Sequence, residues 1–148
     1  LYPPVALREA LANAFCHRDY AIGGGSVAVG IYDDRLEVTS SGTLHFGLTA
    51  AALFEPHESL PWNPTIARVL YRRGVIERWG RGTIKMAELT AQAGLPRPDI
   101  EEAGGAVTVR FRPSWYVPPQ RVARDLSPRQ QMILEQLVAK IGFQVQGQ

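Results

Sequence analysis

The chain has 148 residues, 45% hydrophobic and 20% charged, with a net charge of +2. This fits one domain with its own core plus a small appendage, and the charge alone gives no argument for nucleic acid. No signal peptide and no apolar run long enough to cross a membrane is present, and a single cysteine, Cys16, excludes a disulfide within one chain. The expectation is a cytoplasmic protein without a membrane partner, with Cys16 a small buried hydrophobe in a reduced compartment.

Pro3 and Pro4 suit a helix start, and the first predicted helix runs from Pro4 to Cys16. Glu9, Asn13 and His17 stand four apart and share one face; Leu7, Leu11, Ala14 and Phe15 lie roughly opposite as a core stripe. A carboxylate, an amide and an imidazole in one row can serve a site or form a solvated face. Gly23, Gly24 and Gly25 mark a loop. Val27, Val29 and Ile31, then Leu36 and Val38, alternate with polar or small residues around Asp33-Asp34, which predicts a β-hairpin.

Gly42 and Gly47 punctuate the next loop, and Thr49 can cap a short helix over Ala50 to Phe54. Asn63 is the expected cap of a second helix with Pro64 at its first position; it carries Ile66, Ala67 and Leu70, and Gly74 ends it. A third helix is expected over Thr83 to Ala93, closed by Gly94 and stopped by Pro96 and Pro98. Val107, Val109 and Phe111 then form a strand with one buried face. Residues 114–126 read as a linker. Ser127 caps a last helix, with Pro128 first, Gln130 as reciprocal partner and Ile133, Leu134, Leu137, Val138 and Ile141 apolar. One helix cannot bury that side by itself, so the tail predicts a partner surface and a homo-oligomer, or packing back on its own domain.

Paired strands separated by helices predict an α+β fold: a two-layer sandwich, with a mixed or antiparallel sheet and helices on one face. Gly80 and Gly82, before the third helix, can open backbone N–H groups to an anion at the helix's positive end, or simply make a tight turn. Trp79 is expected to cover the core. His17, His45 and His57 lack ligand spacing, and Cys16 neighbours His17 in sequence, so no metal site is expected.

Pro3 to Arg112 resembles the C-terminal module of bacterial proteins labelled ATP-dependent DNA helicase-related or transcriptional regulators, which usually follows an AlbA/Schlafen-like domain. The shared markers are Leu7 to Ala14, His17-Arg18-Asp19-Tyr20, Asn63-Pro64, the run from Gly74 to Gly82, and Gly105 to Phe111. No Walker lysine motif is present, so the helicase label does not imply a motor here. The module is similar to the gyrase, Hsp90, histidine kinase and MutL ATPase fold. That resemblance implies Glu9 as candidate general base and Asn13 as candidate Mg²⁺ ligand. It implies Ser40 and Gly42 at the adenine, and Gly80, Arg81, Gly82 and Thr83 at the phosphates of ATP. Ser40 stands where the superfamily has an Asp, and a hydroxyl lacks the charge-assisted strength of a carboxylate. The expectation is therefore a non-enzyme without bound cofactor, ATP and Mg²⁺ being the alternative. His17, Arg18 and Asp19 are expected to be structural, Asp19 orienting His17 and a carboxylate holding Arg18.

The chain opens on Leu1 rather than Met and stops inside a helical pattern, which predicts a piece of a longer protein. The predicted organisation is a degenerate ATPase-like domain over 1–113, a linker over 114–126, and over 127–148 the first helix of a winged helix-turn-helix domain. The function implied is that of a regulatory or assembly module in a transcriptional regulator that reaches DNA through other domains. An ATP/Mg²⁺-binding or weakly hydrolysing module and a purely structural dimerisation module are the alternatives.

Overall fold

The structure, a computed structural model, describes residues 2–45, 47–58, 60–76, 81–113, 129 and 132. The chain divides into two compact units, residues 1–116 and 117–148. Of the second unit only Arg129 and Met132 are described, both helical; the linker and the rest of the Ser127-led helix lie outside the described residues. So do Glu77, Arg78, Trp79 and Gly80.

In the first unit, α1 (Pro4–His17) leads into an antiparallel hairpin of β1 (Val27–Ile31) and β2 (Leu36–Ser41). A 3-10 turn at Ala52–Phe54 follows, then α2 (Pro64–Arg72), α3 (Gly82–Gln92), β3 (Asp99–Ala103) and β4 (Ala106–Phe111). The strands form one antiparallel sheet in the order β1-β2-β4-β3, so the α+β architecture expected above is the observed one.

Helix α1 has no side-chain cap; it starts on Pro4 and is carried by alanine, the strongest helix former. Ala6, Ala10 and Ala14 form its inward stripe, with Ala6 and Ala10 fully buried. Because these side chains are small, α1 lies close to β2 and to α3. Leu36 and Val38 of β2, Val109 and Phe111 of β4, Ile100 of β3 and Met86 of α3 complete the core. In register with Val38 and Leu36, Val109 and Phe111 point to the same face.

The opposite face is polar. The Arg110 guanidinium bonds Glu37 on β2 at 2.7 Å and Asp99 and Glu101 on β3 at 3.1 and 3.2 Å. Arg35 holds the same Glu37 oxygen at 2.9 Å. The hydrogen bond from Arg110, with Arg35 adding to it, holds the Glu37 carboxyl below its ordinary pKa.

Strand β3 is absent from the elements predicted above. Its sequence, Asp99-Ile100-Glu101-Glu102-Ala103, offers one buried apolar side chain, Ile100. The signal lay in the turn: Gly104 and Gly105 both take positive φ, +60° and +75°, which a two-residue hairpin turn of the primed type requires. Asn63 also departs from expectation. It precedes α2 but makes no side-chain cap; its Nδ2 donates to the carbonyls of Cys16 and Arg18, at 3.1 and 2.7 Å. The cap role falls to no side chain, because Asn63 is occupied in holding the end of α1. Thr49 is not the N-cap either: the element is a 3-10 turn that starts at Ala52 after Ala51, and the Thr49 hydroxyl accepts from the Ala52 N–H at 3.2 Å from outside it.

Phe111, 1% exposed, is the largest fully buried side chain among the described residues. Phe111→Ala should lower the free energy of unfolding by about 3–5 kcal/mol in urea denaturation followed by circular dichroism. The polar face predicts a pH effect. Glu37 has a depressed folded-state pKa, so its stabilisation is fully present above the unfolded carboxyl value of about 4.3 and is lost as pH falls through the folded value. Arg110→Ala should cost about 1 kcal/mol at pH 7, where the partly exposed network is screened by solvent, and much less at pH 2–3.

Candidate functional site

The row Glu9, Asn13 and His17 does not face bulk solvent. Glu9 is 3% exposed, and the row looks towards the start of α3. There Gly82 permits a close approach: a Cβ on it would sit 3.1 Å from Asn13 Nδ2 and 3.2 Å from Glu9 Oε2, and those side chains would have to give way. The first turn of α3 has no side-chain cap and no acidic residue of its own; the carboxylate nearest its start is Glu9, facing Gly82 from α1.

Two depressions meet at this point and share Asn13, His17 and Gly82. One is polar, about 50 Å³, with Glu9, Arg81 and Lys85 on its walls. The other is a mainly apolar cavity of about 110 Å³ between α1, α3 and the sheet. Ala10 and Ala14 of α1, Val38 and Val109 of the sheet and Met86 of α3 line it, and Ser40 and Thr83 supply hydroxyls. Leu44, Leu48, Leu53 and Leu60, from the segment between β2 and α2, line it as well. That segment is fastened to the domain: the Thr83 hydroxyl donates to the Leu53 carbonyl, and the Leu44 N–H donates to Glu102 Oε2 at 3.0 Å.

Of the residues expected at this site, Glu9, Asn13, Ser40, Arg81, Gly82 and Thr83 line one depression or the other. Gly42 does not. Its φ is +131°, its N–H donates to the Gly105 carbonyl at 2.8 Å, and a Cβ there would meet the Asp19 backbone nitrogen at 3.1 Å. It is a close-approach glycine beneath the end of α1. Gly80 lies outside the described residues.

The run His17-Arg18-Asp19-Tyr20 splits by role. His17 lines both depressions. Burial, then the proximity of His45 and His57, holds its imidazole below the ordinary histidine value. The Asp19 carboxylate accepts from the Ala21 N–H at 2.8 Å, and the Asp19 N–H donates to the Ser41 carbonyl at 2.9 Å. Arg18 donates to the Gly25 carbonyl and lies 4.5 Å from the Tyr20 ring centroid. In this arrangement Asp19 serves its own turn, and a backbone carbonyl with an aromatic face takes the place of the carboxylate expected at Arg18.

Sequence reasoning missed Lys85, three residues beyond Gly82 and so on the same flank of α3. It also missed the convergence of His45 and His57 with His17. Those two come from irregular chain, where no periodicity assigns a direction. The ring of His45 stacks on Trp62 at 3.8 Å and 7°, and His57 Nδ1 lies 2.8 Å from the Glu55 carbonyl. Among the described residues no group of three or more His, Cys, Asp or Glu is disposed to hold a metal ion. Cys16, 3% exposed, has its thiol pushed up to about 11 by burial, so it stays a protonated, unreactive thiol near neutral pH.

No curated protein matches the chain. Among solved structures it is similar to the crystal structure of the DIP2311 protein from Corynebacterium diphtheriae, with a TM-score of 0.67 and 28% identity. The similarity covers 76% of this chain and 20% of that one, so the chain spans about a fifth of that protein's length. A family model described as "Putative ATP-dependent DNA helicase recG C-terminal" matches residues 24–111, from the turn before β1 to the end of β4. The four-stranded sheet and α3 fall inside that match and α1 precedes it; on this match the chain belongs to the family of recG-type helicase C-terminal, ATPase-like domains.

Proposed function

We propose that residues 1–113 form a nucleotide-binding module of ATPase type within a longer DNA-acting protein. The observation that carries this reading is the pair of adjoining depressions, one polar and one apolar, hinged on Asn13, His17 and Gly82. A nucleotide has the same division into a charged and a flat part.

The residues present fit such a ligand. The uncapped start of α3, with Arg81 and Lys85 beside it, suits phosphate oxygens. The Asn13 amide oxygen is a hard ligand for Mg²⁺, which when bound would draw charge from the phosphates. Glu9, facing Gly82 at the start of α3, is the group able to orient water and accept its proton. Ser40, 6% exposed on the cavity wall, gives a hydroxyl that donates or accepts towards a base. His17, held neutral, adds no charge to this wall.

A second reading is a regulatory or assembly module that works without nucleotide. The observation favouring it is the leucine-bearing segment between β2 and α2, whose side chains already occupy the walls of the cavity. At about 110 Å³ the cavity is below the ~300–1,000 Å³ of ordinary small-molecule pockets. On either reading, contact with duplex DNA and a role in transcription belong to other parts of the longer protein.

Isothermal titration calorimetry with ATP and Mg²⁺ separates the two. Binding should appear in the wild type and weaken at least tenfold, about 1.4 kcal/mol, in Asn13→Ala. Glu9→Gln should keep binding and lose about 10²–10⁴-fold in any turnover. No heat at millimolar nucleotide leaves the second reading standing. The state of the cavity wall can be read separately by NMR. His17 should titrate below ~6.5, and His45→Gln and His57→Gln should each move its pKa upward.

A further inference from the structure

The two edges of the sheet are unlike. The β3 edge carries Asp99, Glu101 and Glu102, charges of the kind that block addition of another strand. The β1 edge is Val27-Ala28-Val29-Gly30-Ile31, without a charge.

Hydrogen bonding in the hairpin fixes which backbone groups of β1 face outward. The Tyr32 N–H donates to the Arg35 carbonyl at 2.9 Å, and the Ser26 carbonyl accepts from the Ser41 N–H at 3.1 Å. Pairs alternate along an antiparallel ladder, so Ala28 and Gly30 also turn their N–H and C=O towards β2. Val27, Val29 and Ile31 therefore present theirs to the open edge.

The side chains of those residues lie on the core face. Val29 stands opposite Val38 and Ile31 opposite Leu36, both core residues. Yet α1 packs over β2, and Val29 and Ile31 remain 51% and 81% exposed. Phe15 continues the Leu7 and Leu11 flank of α1 at four-residue spacing and is 44% exposed. A core-type surface is thus left open beside an open strand edge.

We propose that β1 pairs antiparallel with β1 of a second copy of this chain, about a two-fold axis at Val29, joining the two sheets into one. The strand is self-complementary in that register. Val29 meets its own counterpart and Val27 meets Ile31, so each outward N–H finds an outward carbonyl. The charges are compatible: Asp33 and Asp34 of one copy fall opposite the uncharged turn around Gly24 and Gly25 of the other, and no like charges meet. The geometry leaves room. With α1 over β2 in each copy, the two helices stand three strand spacings apart, about 14 Å, against a helix diameter of about 10–12 Å. Val29, Ile31 and Phe15 of both copies fill the floor and walls between them. A second copy is the occupant that both completes the edge and brings the apolar surface to cover its neighbour's. The interface uses neither depression and stands whether or not nucleotide binds.

Sedimentation equilibrium on the whole chain, with register-specific variants, tests this. The chain should dimerise. Val29→Lys, which sets like charges face to face at the axis, should raise the dimer dissociation constant at least tenfold, and Ala28→Lys, on the outer face, should not. Val29→Cys should oxidise to a covalent dimer, because directly opposed Cα atoms lie about 5.5 Å apart. Ala28→Cys should not, because its counterpart lies on a diagonal about 7–8 Å away. The buried Cys16 does not compete. The cross-link is read even if Val29→Lys folds poorly. A monomer at hundreds of micromolar, or a dimer in which Val29→Cys forms no cross-link, overturns the proposal.

Discussion

The close approach of α1 and α3 at Gly82 is the constraint on which the centre of this molecule depends. One helix brings a carboxylate and an amide this close to the backbone of another most readily where that backbone carries no side chain: a Cβ on Gly82 would stand only 3.1 Å from Asn13 and 3.2 Å from Glu9. The approach also needs a narrow helix face on the other side. Ala6, Ala10 and Ala14 supply it, letting α1 settle close to the sheet and to Met86. Polar row and apolar stripe are two faces of one helix, so the packing that makes the core also places the site.

The far end of α1 is held by a different device. The Asp19 N–H bonds the end of β2, Asn63 bonds two carbonyls of the helix terminus, and Gly42 lets the chain pass close beneath. These backbone groups would otherwise lack partners where the helix ends. The conspicuous His-Arg-Asp-Tyr and Asn-Pro runs are thereby accounted for as two sides of one fastening. Only His17 of that set reaches the cavity.

What was legible in the sequence follows the physics of each element. α1, the β1–β2 hairpin, α2, α3 and β4 each carry a period or a terminator, and each lies within a residue or two of its expected bounds. β3 carries neither, because an edge strand with one inward residue needs little hydrophobicity, and its acids are the guard on that edge. At the site, spacing alone aligned Glu9 with Asn13, and the glycine before α3 marked their counterpart. The histidines of the loop between β2 and α2 were present in the sequence, but nothing local aims a side chain in irregular chain. Their meeting with His17 is a tertiary fact.

The alanine stripe has a consequence for how such a domain diversifies. Ala10 and Ala14 are at once core residues and cavity wall, so the height of the cavity is set by the methyl groups that space helix from sheet. Exchange at those two positions resizes the chamber while leaving every polar group in place. Descendants of one scaffold can therefore drift in the shape of guest they admit, or close the chamber altogether, before any residue with chemistry of its own has changed.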